Sequence, residues 1–258
     1  MGDSDRRGCE LRRDPEFGLG EGLESVHVSG LFPDTRLEEL HRILLEAYGR
    51  PAMREPWDPL TQCIYSMLSS RTKTETTHEV LRGLRASFGS WERLRDAPVA
   101  EIEDAIRAVT FPEPKAVQLK AALQQITERT GALSLEFLRR YRTEKIRAWL
   151  EAFDGIGPKT SAAVVNFSNL RRRAMCVDSH HLRITQRLGL VPKSADARET
   201  EARLMEMAPA AWSAEMLDEH HMLVKLHGQR RCVKTEPRCG GCPLRDMCGH
   251  GGSDARAD

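Results

Sequence analysis

The sequence has no long apolar run: no segment approaches the roughly 18–20 apolar residues that a membrane-spanning helix needs. Its first twenty residues contain no apolar stretch of the kind that directs secretion. An excess of either charge is also absent, because 39 lysines and arginines face 38 aspartates and glutamates among 258 residues. General electrostatic attraction to nucleic acid or membranes is therefore excluded, and any such binding must use a local patch. We expect a cytoplasmic protein without membrane contacts, nucleoid-associated if it is bacterial.

Strand-like alternation of polar and apolar residues is almost absent, and residues 174–177 are the one weak candidate. Neither an internal repeat nor a low-complexity tract is present. The proportions of hydrophobic (40%) and charged (30%) residues exclude a disordered chain. Instead, apolar residues recur at helical spacing from residue 35 onwards, with short turns between the segments. The pattern predicts an all-α protein.

Two helix starts are marked by capping residues. Asp58 precedes Pro59, which predicts an N-cap followed by proline in the first turn. Thr35 with Glu38 forms a capping-box pattern. Helices are predicted over 75–88, near 91, and over 99–108, 114–129, 143–153 and 159–167, with about three more that end with one over 213–226.

The seven cysteines are unevenly distributed, and an odd number without a secretion signal argues against a disulfide framework. Four of them crowd into one segment with six, two and five residues between them. Structural zinc usually uses two closely spaced cysteine pairs, whereas only one is present here, so a 4Fe–4S cluster fits better than zinc. Four exposed thiols without a metal would be prone to oxidation. The four ligands are Cys232, Cys239, Cys242 and Cys248.

A Gly-Ile-Gly-Pro-Lys-Thr segment, residues 155–160, joins two predicted helices. Gly155 and Gly157 permit positive φ and close approach, and Pro158 suits the first turn of the second helix. Backbone N–H groups exposed at that helix start form a natural seat for a phosphate. Lys159 lies in the same turn, where the helix dipole and partial burial both favour a free amine that can attack carbon. The alternative is a surface lysine that touches phosphate.

Asp178 follows an apolar stretch nineteen residues after Lys159. Its carboxylate could face the same cleft and accept a proton or supply a counter-charge. It could equally cap a helix that begins near His180. Both roles are compatible with one another.

These motifs together resemble the endonuclease III family of helix–hairpin–helix DNA glycosylases. The resemblance depends on residues 155–160, on Val-Asp-Ser-His at 177–180 and on the terminal four-cysteine loop, in the family's order. It extends, more loosely, from about residue 31 to residue 248.

The resemblance implies an all-α, two-lobed fold with DNA in the groove between the lobes. Residues 59–172 would form a six-helix barrel that contains the helix–hairpin–helix. Residues 31–58 and 173–250 would form the iron–sulfur cluster domain. Residues 1–30 and 251–258 are expected to be flexible tails.

The resemblance also implies the chemistry, in which a damaged pyrimidine is flipped into the cleft. Lys159 would attack the sugar C1′, the base would leave, and β-elimination from the resulting Schiff base would cut the strand on the 3′ side. Asp178 would be the catalytic carboxylate. The activity that the resemblance implies is that of a bifunctional DNA glycosylase/AP lyase of base excision repair, which removes oxidised pyrimidines from double-stranded DNA and acts on abasic sites. We expect the protein to be a monomer. The implied DNA contacts are Gly155, Gly157, Thr160, Arg71, Phe111 and His180.

Two departures from the family pattern concern the pocket. Arg71 stands where the family usually has glutamine, and it could fill the gap left by the flipped base by stacking or hydrogen bonding. Phe111 corresponds to a wedging apolar residue, although burial in the core is an equal alternative. An AP lyase or a glycosylase of narrow range is therefore a second interpretation. A non-catalytic DNA-binding iron–sulfur protein is a third, but binding needs neither Lys159 nor Asp178.

Overall fold

The structure, a computed structural model, describes residues 34–250. Within that range it contains eleven α-helices, two short 3-10 helices and no strand, which confirms the all-α prediction. The two tails predicted at 1–30 and 251–258 lie outside the described residues. None of the helices between residues 34 and 250 is both long and apolar enough to cross a membrane. The α-helices are α1 Arg36–Tyr48, α2 Pro59–Leu68, α3 Thr74–Phe88, α4 Trp91–Asp96, α5 Val99–Ala105, α6 Pro112–Thr130, α7 Thr143–Leu150, α8 Pro158–Phe167, α9 Ser179–Arg187, α10 Ala197–Met207 and α11 Ala214–Arg230, and the 3-10 helices are Glu136–Arg140 and Arg245–Met247.

One of the two predicted helix caps forms as expected. The Asp58 carboxylate accepts a hydrogen bond from the Thr61 amide at 2.9 Å, and Pro59 begins α2. Thr35 makes no capping hydrogen bond, so the predicted capping box is wrong. Its backbone is nearly helical (φ −84°, ψ 1°), whereas an N-cap residue usually has extended backbone. Asp34, which is paired with the Arg36 guanidinium, accepts the Arg36 amide hydrogen bond instead.

The buried apolar side chains form two separate hydrophobic clusters. The first is built from α2 to α8, with residues between Leu60 and Cys176. The second joins α1 to α9, α10 and α11, so it combines an early helix with the last third of the chain. The exact lobe boundaries expected from the sequence stay a prediction.

Residues 174–177 run between the two clusters with alternating sides. Ala174 and Cys176 belong to the first cluster, and Met175 and Val177 to the second. The alternation that made this segment a weak strand candidate is therefore genuine. Within the described residues the segment forms no strand, and its two faces pack into the two hydrophobic cores. The segment leads directly to Asp178, so its packing into both clusters fixes the position of that residue.

Candidate active site

Of the two glycines in the hairpin between α7 and α8, Gly155 has the positive φ that the sequence suggested for both, whereas Gly157 has extended backbone (φ −96°, ψ −174°) that any residue can adopt. Gly155 has a left-handed φ of +83°, and a Cβ there would lie 3.0 Å from Gln118 Oε1. Gly157 is the N-cap of α8 and, lacking a polar side chain, satisfies none of the amides of the first turn. Nothing within the described residues would lie within 4 Å of a Cβ at Gly157, so the approach to those amides is open. An open helix start of this kind suits an anionic phosphate.

Lys159 is the second residue of α8 and is half-buried. Its Nζ donates to Ser69 Oγ at 2.7 Å and to the Ser66 carbonyl at 3.4 Å, at the end of α2. The Cys176 thiol lies 3.6 Å from the Lys159 carbonyl oxygen, on the segment that leads to Asp178. The predicted DNA contact Thr160 is only 6% exposed, so its side chain offers DNA little surface.

Lys115 of α6 was not recognised from the sequence as part of the site. It is 8% exposed, and its Nζ donates to the carbonyls of Leu68 and Ser70 at 2.7 and 2.8 Å and to Thr72 Oγ1 at 3.2 Å. Burial lowers the pKa of Lys115 to about 8, and the nearby charge of Lys159 acts in the same direction. Lys115 therefore holds the loop at 68–72, which presents Ser69 to Lys159.

Asp178 caps α9 through a single carboxylate oxygen. Oδ1 accepts the amides of His180 at 2.8 Å and His181 at 2.9 Å. Within residues 34–250, Oδ2 accepts no hydrogen bond, which leaves it available for a ligand or a proton. Burial acts to raise the pKa of the Asp178 carboxyl, but hydrogen bonding from His181 and the electrostatic effects of His221 and His181 together hold that pKa well below its usual range. The two roles that the sequence suggested for Asp178, cap and ionised carboxylate, are compatible in this geometry.

His180 is the second residue of α9, and its ring lies against α11 and is held from two sides. Arg183 Nη2 lies 3.0 Å from His180 Nδ1, so Nδ1 is the acceptor and the ring proton is on Nε2. A Cβ at Gly228 of α11 would come within 2.5 Å of His180 Nδ1, so only glycine allows this close approach. Burial lowers the pKa of His180, the Asp178 carboxylate opposes that effect, and Arg183 adds to it.

Arg71 and Phe111 lie together at the edge of the site. Both have left-handed backbone, with φ of 55° and 59°, and the Arg71 guanidinium carbon lies 5.8 Å from the centre of the Phe111 ring. Thr110 joins the two loops, because its Oγ1 donates to the Arg71 carbonyl at 2.9 Å. Phe111 is 55% exposed, so its alternative interpretation as a core residue is wrong. A strained, exposed aromatic beside a cation is a typical functional feature.

The four clustered cysteines are half-buried and line one common space beside α9. None of them forms a disulfide. Arg187 Nη1 donates to Cys232 Sγ at 3.2 Å. Burial raises the pKa of the Cys242 thiol, and the other three sulfurs raise it further. In the part of the chain that the structure describes, no three histidine, cysteine or acidic side chains are placed to hold one metal ion between them.

Four thiols around one shared space are the donor set that protein iron–sulfur clusters use. The residues present therefore fit a 4Fe–4S cluster.

Four histidine rings lie behind Asp178 in the second hydrophobic cluster. The His181 and His221 rings stack with centroids 5.1 Å apart, and His221 Nδ1 lies 2.9 Å from the Cys176 carbonyl oxygen. Burial holds the pKa values of His220 and His221 well below the usual range, so both rings are neutral at pH 7. His41 and His220 pack against Trp212, and His221 packs against Phe167.

Comparison with known proteins agrees with this geometry. Residues 64–210, more than half of the chain, match the family described as HhH-GPD superfamily base excision DNA repair protein. The DNA glycosylase/AP lyase ROS1 of Arabidopsis thaliana is 26% identical over 224 residues, which cover 80% of this chain and 15% of that protein. Endonuclease III of Sulfolobus acidocaldarius is 30% identical over 158 residues, which cover 61% of this chain and 66% of that protein.

The fold has solved counterparts as well. A non-covalent endonuclease III–DNA complex superimposes with a TM-score of 0.72 at 22% identity, covering 86% of this chain and 98% of that one. The matched part of the chain covers 54% of another Arabidopsis thaliana protein, to which it is 33% identical over 163 residues, and only 15% of ROS1. The hairpin, the order of the motifs and the family match agree, and this chain belongs to the HhH-GPD superfamily of base excision DNA repair proteins.

Proposed function

We propose that this protein is a bifunctional DNA glycosylase/AP lyase that removes oxidised pyrimidines from double-stranded DNA and then cuts the strand. The observation that carries the proposal is the placement of Lys159. Its amine lies at an uncapped helix start that suits a phosphate, hydrogen-bonded to Ser69 Oγ at 2.7 Å. The Cys176 side chain on the segment leading to Asp178 contacts its backbone. A simple phosphate-binding protein needs neither this amine nor the Asp178 carboxylate.

In the proposed reaction, Lys159 as a free amine attacks C1′ of the flipped nucleotide. The glycosidic bond breaks, and its electron pair leaves with the base, which takes up a proton. The attacking nitrogen loses one proton, and its lone pair then breaks the C1′–O4′ bond while O4′ takes up a proton, which leaves at C1′ an iminium that keeps one N–H. Removal of a C2′ proton then expels the 3′ phosphate by cleavage of the C3′–O bond. Asp178, whose Oδ2 is free, stabilises the positive charge that develops on the sugar.

The Ser69 hydroxyl is the group that orients the Lys159 amine before attack. It is the acceptor of the short hydrogen bond at 2.7 Å, and Lys115 fixes the loop on which it lies. A hydroxyl can rotate and accept or donate, so it can follow the amine through changes of protonation. The backbone amides at the start of α8 would hold the sugar–phosphate chain while this occurs.

For the cofactor, we assign a 4Fe–4S cluster to Cys232, Cys239, Cys242 and Cys248. When bound, it supplies a rigid anchor for the basic loop that carries these cysteines, and no step of the proposed reaction passes through it. Iron and sulfide assays on protein purified without oxygen test the assignment. Four iron and four sulfide per chain are expected, and stoichiometric zinc without iron would contradict it.

A glycosylase of narrower range is the second candidate, and Arg71 favours it. Its guanidinium lies beside Phe111, and both are exposed at the edge of the site, where they would meet the DNA on either side of the flipped base. A planar cation that hydrogen-bonds one orphan base would restrict the lesions that are accepted.

Incubation with three duplexes separates these possibilities: one with thymine glycol, one with an abasic site and one undamaged. The proposed function predicts strand cleavage of the first two and not of the third. Cleavage of abasic DNA alone would indicate an AP lyase or a narrow-range enzyme, which a panel of other damaged bases would then distinguish. Binding without any cleavage would contradict enzymatic function.

A further inference from the structure

One face of α11 lies against the segment that carries Asp178. His221 and Gly228 lie on this face, since they are seven residues apart, about two helical turns. His221 contacts the Cys176 carbonyl at 2.9 Å, and Gly228 lies directly against the His180 ring. Lys225 is four residues after His221 and three before Gly228, so it occupies the middle of the same face. Its side chain therefore lies opposite residues 176–180.

Lys225 is half-buried and makes no hydrogen bond or ion pair with any group in residues 34–250. An ammonium has three donors, and leaving them without acceptors in a partly buried position is unfavourable. Lys115, whose pKa the charge of Lys159 also lowers, has three acceptors of its own. The lack of partners for Lys225 thus points to an acceptor that comes from outside the described chain.

The charges around Lys225 indicate what kind of acceptor this is. Burial lowers the pKa of Lys225, the Asp178 carboxylate opposes that effect, and the charges of Arg54 and Lys159 lower the pKa further. Arg54 is paired with the Asp218 carboxylate, but the acceptors of Lys159 are a hydroxyl and a carbonyl, both neutral. Lys159 and Lys225 therefore share one carboxylate, Asp178, whose Oδ1 is already used by two amides. An anion would balance the excess positive charge, whereas a neutral base carbonyl would not.

We propose that the Lys225 ammonium binds a phosphate oxygen of the nucleotide that is flipped towards Lys159. The assignment rests on the proposed function, because it takes DNA as the ligand of this cleft. Lys225 would hold the target nucleotide from the α11 side, while the amides at the start of α8 hold the chain from the hairpin side. It would position the substrate and would not itself react.

Salt dependence of DNA binding is the test. Each phosphate contact made by a lysine releases counterions from the DNA, so the slope of log affinity against log salt reports the number of such contacts. The probes are a duplex with a tetrahydrofuran abasic analogue, which cannot be cleaved, and an undamaged duplex of the same sequence. Affinity is measured by fluorescence anisotropy between about 0.05 and 0.2 M salt. The proteins are the wild type, Lys225→Met, Lys225→Arg and the matched control Lys145→Met, whose lysine is exposed on α7 and lies 4.5 Å from the Tyr141 ring.

On the abasic duplex, Lys225→Met is expected to bind about tenfold more weakly at low salt. Its plot of log affinity against log salt is expected to be shallower than that of the wild type by about 0.9, the value for one phosphate. Lys225→Arg should restore the wild-type slope, and Lys145→Met should leave it unchanged. On the undamaged duplex, the slopes of Lys225→Met and the wild type should coincide. A purely packing role would change the melting temperature and leave the salt slope alone.

An unchanged slope for Lys225→Met on the abasic duplex overturns the phosphate assignment while the proposed function stands. An equal change on both duplexes overturns the assignment to the flipped nucleotide, because Lys225 would then contact ordinary backbone. Failure of the wild type to bind either duplex would count against the proposed function itself, and the assignment would fall with it.

Discussion

Two helices of this protein begin beside the same loop, and each brings a lysine to it. α6 begins at Pro112 and α8 at Pro158, both with proline in the first turn. Lys115 of α6 donates three hydrogen bonds to residues 68–72 and is 8% exposed. Lys159 of α8 has one short bond, to the Ser69 hydroxyl, and is half-buried.

The difference shows what separates a structural amine from a reactive one within a single cleft. Two main-chain carbonyls and a hydroxyl fully engage Lys115, so any reaction at its nitrogen would break the loop that it holds. The Lys159 amine is held mainly by the Ser69 hydroxyl, which can rotate. The amine nitrogen can therefore turn its lone pair towards a substrate at little cost. Proximity to the loop is common to both lysines, and the number of fixed acceptors distinguishes them.

The largest effect is expected when the reactive amine is removed. Lys159→Gln should abolish trapping of the protein on abasic DNA by borohydride, because an amide cannot form the Schiff base that borohydride reduces. Lys115→Met, assayed well below its melting temperature, should still trap. Gel analysis of the covalent complex measures both, and persistent trapping by Lys159→Gln would refute its role as nucleophile.

Removal of the structural amine should cost stability instead. Lys115→Met leaves the carbonyls of Leu68 and Ser70 without their donor, so we expect a loss of about 2–4 kcal/mol. For a domain of this size that corresponds to a fall in Tm of about 5–15 °C. Differential scanning calorimetry measures it, with Lys145→Met as the matched exposed control. A Tm within a degree or two of the wild type would show that the loop does not depend on Lys115.

The contrast also explains how much of the site the sequence could predict. Lys159 and its hairpin were recognisable because the turn needs Gly155 at a positive φ and accepts Pro158 in the first turn of α8, at fixed local spacing. Lys115 and Lys225 were missed because no local pattern marks them. The loop that Lys115 holds and the charged groups around Lys225 lie 43 or more residues away in the sequence. The same limitation applies to Thr35, where a neighbouring carboxylate took over the predicted cap.

For Phe111, the sequence left two interpretations open that the structure separates. Its sequence context matched a wedge, but an aromatic between helices is just as often buried, and only the backbone decides between the two. A left-handed φ of 59° at the N-cap of α6 turns the ring outward. The two hydrophobic clusters were foreseeable only in outline, because the second combines α1 with the last third of the chain.

A smaller effect, on DNA and not on folding, is expected at Phe111. Because the ring is exposed, Phe111→Ala should change the free energy of unfolding by no more than about 0.5 kcal/mol. Loss of a ring that stacks in the duplex should weaken binding to the abasic-analogue duplex about tenfold. Anisotropy titration and thermal unfolding are measured in parallel. A large fall in Tm with unchanged binding would return Phe111 to a packing role.

The last effect concerns pH, and it again distinguishes the two lysines. The pKa of Lys115 is lowered to about 8 in the folded state by burial and by Lys159, against about 10.4 in an unfolded chain. Between these values the unfolded chain holds a proton that the folded one has released, so this residue's contribution to the free energy of unfolding rises with pH. Below about pH 8 both states are protonated and the contribution is constant.

The stability difference between the wild type and Lys115→Met should therefore widen as pH increases from about 8 to about 10. Urea titrations of both proteins across this range measure it, and groups common to both cancel in the difference. In a Lys159→Gln background the like charge is gone, so the widening should begin at a higher pH. A difference that stays flat or narrows would mean that the three acceptors stabilise the Lys115 ammonium more than burial destabilises it.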